Sequence, residues 1–214
     1  MFGLLLMALG ASPLDGAERH FRDLHYAEVL TELGALAAPL DEATFARRLE
    51  LRAISLAMVQ RPEASREFRV LLWLLPDWAL PPEFGPRVRT PWLEARAWRA
   101  TLPEGPPAVA VDAEGLTLPG DPLALVDSVL VEWTQGAAVR SERFRAAARL
   151  PAPWRPAEDT RVTVRLLDAG GSTLRVTGPV SLALRPQPGL VATPAPESAR
   201  PIGLPLAFTL GAAA

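Results

Sequence analysis

The stretch LALVDSVLVEWTQGAAVRSERFRAAARL, residues 123–150, decides the fold class because its apolar residues recur at every second position. Val129, Val131 and Trp133 fall on one side of this alternation, and Glu132 falls on the other. Successive side chains of a β-strand point to opposite faces of the sheet. The period therefore predicts half-buried strands rather than helices.

Further runs with the same period follow this stretch, and turn-forming residues separate them. The runs lie at residues 162–166, 174–176 and 180–184. The predicted turns lie at residues 119–122, 135–136, 151–156, 169–171 and 178–179. Five or six short strands joined in this way predict an antiparallel β-sandwich over residues 108–186.

The preceding part of the chain, residues 15–100, has helical periodicity. Its clearest apolar stripe is Phe45, Leu49, Ala53, Leu56 and Val59. The predicted helix starts are Asp15 (with Glu18 in capping-box position), Asp41 and Thr90-Pro91. The polar pair His25-Tyr26 predicts a break into two short helices, with one long helix as the alternative.

Within this helical part, four residues have the relative spacing of the second helix and closing proline of a tetratricopeptide repeat (TPR): Ala64, Phe68, Leu71 and Pro76. Over residues 15–78 the chain resembles a degenerate TPR unit, although Arg52 or Ala53 replaces the usual small glycine of the first helix. Residues 76–96 resemble a connector of bacterial envelope proteins in which helical repeats lead into an immunoglobulin-like domain. The resemblance implies paired helices that accept a peptide in a groove.

These patterns together predict an α+β fold, with N-terminal TPR-like helical hairpins and a C-terminal antiparallel β-sandwich of the immunoglobulin-like (Ig-like) kind. The predicted domain organisation is a signal peptide at 1–12, a helical domain at 15–100, a Pro-rich linker at 101–107, a β-sandwich domain at 108–186 and a Pro/Ala-rich tail at 187–214.

The composition excludes several function classes. All 22 basic residues are Arg, so Schiff-base lysines and the phosphate-loop lysine are absent. The chain has no Cys, which excludes disulfides, thiolate metal sites and cysteine nucleophiles. The net charge of −2 is spread evenly over both halves, and nucleic-acid binding is not expected.

The N-terminus predicts export to the periplasm or secretion. Residues 2–9 form an apolar run, and small residues flank Leu9 where a signal peptidase would cleave. The alternative is a first buried helix or strand. Elsewhere no apolar run approaches the ~18–20 residues needed to span a bilayer, so no transmembrane span is predicted.

Catalytic, cofactor and metal sites are not predicted. His20 and His25 lie ~140° apart on a helix, which is a poor geometry for sharing a metal ion. Asp127 falls on the apolar side of a strand, where burial would raise its pKa, or else at a sheet margin. The six Trp residues favour core and connector packing, with an aromatic platform for a sugar or a Pro-rich peptide as the alternative.

The strongest functional signal is a stripe of arginines on the polar side of the predicted strands. Residues 140–175 contain eight Arg and four acidic residues. The candidate partner-binding residues are Arg143, Arg145, Arg161 and Arg165, and the alternation predicts Arg149 and Arg175 on the same side. Neighbouring strands would present these side chains as a cationic face for an acidic partner. The alternative is an ordinary solvated face.

The function predicted from these observations is a non-enzymatic protein-interaction adaptor or scaffold of the bacterial cell envelope. It would act without a cofactor and bind one or more protein partners, within an envelope-associated complex. The alternative is a β-sandwich protein that binds a carbohydrate or an anionic ligand through Trp and Arg. An enzyme is the third hypothesis.

Overall fold

The computed structural model describes residues 12–154 and 160–182, and the described residues have the predicted mixed α+β class. The helices are α1 (Asp15–Arg22), α2 (Tyr26–Ala35), α3 (Glu42–Met58), α4 (Ala64–Leu74) and α5 (Pro86–Arg99). The strands are β1 (Ala110–Val111), β2 (Gly115–Thr117), β3 (Ser128–Gln135), β4 (Ala138–Arg145), β5 (Arg149–Pro151), β6 (Thr160–Leu167) and β7 (Thr173–Leu182).

Two predicted segments fall beyond the described residues. These are the signal peptide at 1–12, apart from Ser12, and the tail at 187–214. Within the described ranges, none of the helices has both the length and the apolar character that crossing a bilayer requires.

The first two helices are separate, as the polar pair at residues 25–26 predicted. Leu24 has a φ of 61°, which a right-handed helix does not accommodate, and His25 is the N-cap of α2. Val29 of α2 and Ala17 of α1 then pack with Leu51 of α3 in a small buried cluster. The break therefore lets α1 and α2 fold back on each other and against α3.

The predicted capping box at the start of α1 is wrong. Asp15 is the first helical residue, the buried Leu14 is the N-cap, and no side chain caps this helix. Glu18 instead forms an ion pair with Arg47 of α3, with 3.1 Å between Oε1 and Nε. The tertiary ion pair uses the carboxylate that the local sequence pattern had assigned to the cap.

The predicted start of α5 at Thr90-Pro91 is also wrong. The helix begins four residues earlier at Pro86, directly after its N-cap Gly85, and it buries Val88 completely. Pro is favoured at a first helical position because its φ suits the helix and its missing N–H has no partner there. Pro91 lies inside the helix, where it cannot donate a backbone hydrogen bond.

Seven strands of the described residues form two antiparallel sheets. The three-stranded sheet has the order β1-β2-β5, and the four-stranded sheet has the order β4-β3-β6-β7. In the stretch 143–150, Phe144, Ala146, Ala148 and Leu150 occupy every second position, which predicts one strand. The structure divides this stretch between the two sheets. β4 ends at Arg145, and the chain then crosses so that Leu150 pairs with Leu116 of β2. The alternation alone carried no signal for this crossing.

The turn predicted at Gly178-Pro179 is wrong, because these residues form a bulge inside β7. Val162 pairs with Val180 and Val164 pairs with Thr177, so two residues of β7 face Thr163 alone. Gly178 has a φ of 111°, and a Cβ there would lie 2.5 Å from the carbonyl oxygen of Val162. The glycine is therefore needed to keep β7 paired as one strand of ten residues.

Buried residues of α3, α4 and α5 and of both sheets form one continuous hydrophobic core. The contact between the two halves is fixed beside β7, just before α3 begins. The N–H of Leu40 donates to Ser172 Oγ at 3.2 Å, and the carbonyl oxygen of Leu40 accepts from the N–H of Thr173 at 2.8 Å. This placement leaves the outer face of the four-stranded sheet for the candidate site.

Candidate binding face of the four-stranded sheet

The structure brings all four candidate arginines to one face of the four-stranded sheet, here called the arginine face. Leu130 in the middle of β3 lies opposite Arg143 of β4 on one side and Arg165 of β6 on the other. In the same way, Ser128 lies opposite Arg145 and Thr134 lies opposite Arg161. Residues directly opposite in an antiparallel ladder point to the same side of the sheet. The four guanidinium groups therefore share one surface.

The other face of this sheet is the core. Val129, Val131 and Trp133 of β3 are buried, and so are Val162 and Val164 of β6. These residues alternate with those of the arginine face, so their burial fixes the outward direction of the arginines. The alternation predicted from the sequence is realised over residues 129–134 of β3 and residues 160–166 of β6.

The arginine face is poor in acidic residues. Glu132 is the one acidic residue at an outward position of the four strands, and its Oε2 lies 2.9 Å from Nη2 of Arg165. Arg143, Arg145 and Arg161 are exposed and form no ion pair with the residues that the structure describes. Four positive groups therefore face one negative group, and three of the four remain available to an anion.

Two arginines that the sequence assigned to the same stripe lie elsewhere. Arg149 belongs to β5 of the other sheet, where its Nη2 pairs with Glu114 at 2.7 Å. Arg175 pairs in register with Leu166, a core-facing residue, because the ladder shifts between Leu166 and Leu167. The sheet crossing and this shift, neither of which the alternation indicates, explain both errors.

Neutral and apolar residues separate the arginines. Leu130, Thr134 and Val176 are half-buried on this face, and Val139 is 75% exposed near the turn between β3 and β4. A largely exposed valine among arginines offers apolar contact beside the charges. The arginine face could therefore bind a partner through both kinds of interaction.

The tryptophans are packing residues to a large extent. Trp73 and Trp133 are buried, as predicted for the core, and Trp154 is only 4% exposed. Trp78 packs on Phe68 with 6.0 Å between ring centroids. Trp92 lies against the guanidinium of Arg96, and Trp98 lies against that of Arg69. The burial of Trp133 and Trp154 is the reason that these two rings present no platform for a sugar.

The other candidate side chains do not form a reactive cluster. The rings of His20 and His25 lie 6.2 Å apart, and His25 is exposed. Among residues 12–154 and 160–182, no three His, Cys, Asp or Glu side chains are placed to hold a metal ion. Asp127 is exposed just before β3, at the sheet margin, so the interpretation as a buried acid on the apolar face is wrong.

Apart from the arginine face, the structure has a cleft where the predicted linker meets the loop before β3. This cleft of about 610 Å³ is lined by Trp73, Arg99 and the segments 102–108 and 119–122. Arg99 forms part of its wall, since its guanidinium donates to the carbonyl oxygens of Pro103 and Gly105 at 2.8 and 2.6 Å. Apart from the density of prolines, no sequence pattern predicts this cleft.

Comparison of the chain with protein-family models, with curated proteins and with solved structures gives no match. The function is therefore inferred from the geometry of the arginine face and its surroundings.

Proposed function

We propose that this protein is a non-enzymatic interaction adaptor that binds an acidic protein partner through the arginine face. The observation that carries the proposal is the excess of charge on that face, where Arg143, Arg145 and Arg161 have no ion-pair partner among the described residues. A cationic surface without internal neutralisation attracts anionic partners and speeds their association.

The helical half supports the adaptor role as a TPR-like scaffold, which we propose on the basis of its packing. Successive helices from α1 to α4 are neighbours, Phe68 of α4 is completely buried, and Pro76 follows the end of α4. In the same proposal the two antiparallel sheets form an Ig-like sandwich. The apolar run at residues 2–9 supports a place in the bacterial envelope, in the periplasm or outside the cell.

The second candidate function is binding of an anionic carbohydrate or another anionic ligand. Its support is the same excess of guanidinium groups, because sulfate and carboxylate groups of a glycan would meet the same donors. We favour a protein partner because Trp133 and Trp154, which would stack on sugar rings, are buried.

The test replaces Arg145, Arg161 and Arg165 with Ser and measures capture on beads coated with polyglutamate or with heparin. Polyglutamate capture by the wild type should weaken as salt rises through about 0.15 M, where exposed charges more than ~8 Å apart are screened. The triple variant should capture much less polyglutamate, and a larger loss on heparin would favour the glycan.

The matched control replaces Arg22, Arg66 and Arg87 with Ser, because these exposed helix residues give the same change of net charge. The stability of both triple variants should remain within about 1 kcal/mol of the wild type, as for ordinary surface changes. Equal loss of capture by both variants would contradict the proposal, since net charge alone would then explain binding.

A further inference from the structure

β4 is an end strand of the four-stranded sheet, and among the described residues its neighbour is β3 alone. Every residue from Ala138 to Arg145 is exposed except Phe144, which is half-buried. Beyond its ladder with β3, β4 forms no backbone hydrogen bond with the described residues. In an antiparallel edge strand, alternate residues turn their N–H and C=O groups away from the neighbouring strand. β4 therefore presents a row of unused donors and acceptors.

At the opposite edge of the same sheet, a carboxylate of the chain itself accepts a backbone N–H of β7. Glu42, the first residue of α3, accepts the backbone N–H of Val176 with Oε2 at 2.9 Å. Its Oε1 lies 3.1 Å from Nη1 of Arg175 on the same strand. At β7 an acidic segment thus satisfies an edge N–H and a neighbouring arginine together. The β4 edge offers the same two kinds of group without an occupant among the described residues.

The charge of β4 decides between possible occupants. The strand carries Arg140, Arg143 and Arg145 against Glu142. A second copy paired edge to edge would bring these arginines together, and like charges at opposed positions destabilise a ladder. An acidic strand would bring opposite charges together instead.

We propose that β4 accepts an extended acidic segment of the partner protein as an added fifth strand of the sheet. This inference rests on the proposed function and names the form of the partner. Arg143 and Arg145 point to the same side and are two residues apart, so the added strand should carry acidic residues at every second position. Backbone hydrogen bonds would supply the pairing, and the arginines would select the charge pattern.

The experiment compares two capped peptides of identical composition, TETETETE and TTEETTEE, by NMR titration of the full chain. The alternating peptide can place two Glu residues opposite Arg143 and Arg145 together, whereas TTEETTEE has no two Glu residues two positions apart and can pair with only one of these arginines. The alternating peptide should therefore bind more tightly, by up to about fivefold for the additional Arg–Glu pair. At saturation, the amide protons of β4 should exchange more slowly with solvent. N-methylation of the alternating peptide on every Thr or on every Glu should abolish binding in at least one case, because it removes the donors of one strand edge.

A matched pair of variants separates the edge from the face. Arg143→Ser, on β4, should weaken the alternating peptide more than Arg161→Ser, on β6, which lies two strands from the edge. Equal binding of both peptides without slower amide exchange in β4 would overturn strand addition and leave the arginine face intact as a site. Binding of neither peptide would overturn both proposals.

Discussion

The two edges of the four-stranded sheet differ in what the described residues place against them. At β7, the segment before and at the start of α3 supplies a carbonyl oxygen to Thr173 and a carboxylate to Val176. At β4, all residues but the half-buried Phe144 are exposed, and the backbone pairs with no described strand except β3. Charged side chains on an open edge discourage pairing with a second copy. The same charges leave the edge open to a partner of opposite sign.

Arginines near the two edges differ in the same way. Arg175 next to the covered edge is paired with Glu42, whereas Arg143 on the open edge has no ion pair among the described residues. The residue type is the same, and the difference lies in which element folds against the strand. A partner at β4 would do from outside what Glu42 does from within.

The largest effect on stability is expected when the packing of α4 against α3 is disrupted. Phe68→Ala in α4 should lower the free energy of unfolding by about 3–5 kcal/mol, because a completely buried aromatic ring leaves a cavity. α4 packs against α3, which begins at the β7 edge. Chemical denaturation measures the loss. His25→Ala, at an exposed residue, is the control and should cost little; equal losses would contradict the burial of Phe68.

Removal of the carboxylate from the covered edge should have the next largest effect. Glu42→Ala should cost about 1–3 kcal/mol, because the part-buried N–H of Val176 loses its acceptor. Glu114→Ala is the control, since its ion pair with Arg149 is exposed and joins no edge. If both variants unfold at the same denaturant concentration, the carboxylate of Glu42 does not cover the edge in solution.

How much of this arrangement the sequence predicts depends on the range of the interaction. The alternation in β3 and β6 placed Arg161 and Arg165 outward, because core burial acts through neighbouring residues. Glu42 contacts Arg175 and Val176 of β7, from which it is separated by 133 and 134 positions in the chain. No local pattern indicates a contact over such a distance. The open edge of β4 was likewise hidden, because strand order depends on how the strands pair.

Long-range interactions also explain why some predictions from the sequence are wrong. Glu18 left its predicted cap for Arg47, which is 29 residues away in the chain. Arg175 and Arg149 left the predicted stripe because a ladder shift and a sheet crossing separate them from the other arginines. Capping and alternation were reliable where no distant group competed for the same side chain, as at Asp41.

A smaller effect on stability, which depends on pH, is expected at Asp41, the N-cap of α3. Asp41→Ala should cost about 1 kcal/mol, the usual value for a helix N-cap. Hydrogen bonds from the backbone N–H and the hydroxyl of Thr44 lower the pKa of Asp41 below its ordinary value. A folded-state pKa below the unfolded-state pKa stabilises the protein above the unfolded value, and this contribution disappears as pH falls through the folded value.

The cost of Asp41→Ala should therefore be complete near neutral pH and shrink below about pH 4. Thermal melts of the wild type and the variant between pH 3 and pH 7 measure it. Asp41→Asn is the control, because Asn caps a helix without titrating in this range. A cost of Asp41→Ala that stays constant over this range would show that the charge of Asp41 contributes nothing to the cap.

The smallest effect on stability and the most specific effect on binding are expected at Glu132. Its ion pair with Arg165 is about one-third exposed on both sides, and such pairs contribute about 0.2–1 kcal/mol. Glu132→Gln should therefore hardly change the melting temperature. It should nevertheless release Arg165 and remove the one outward acid of the arginine face, so that a higher salt concentration is needed to elute the protein from polyglutamate beads.

Glu83→Gln, at an exposed residue before α5, gives the same change of net charge as a control. If the two variants elute at the same salt concentration, the beads sense the charge of the whole protein, and the arginine face is no more than a solvated surface.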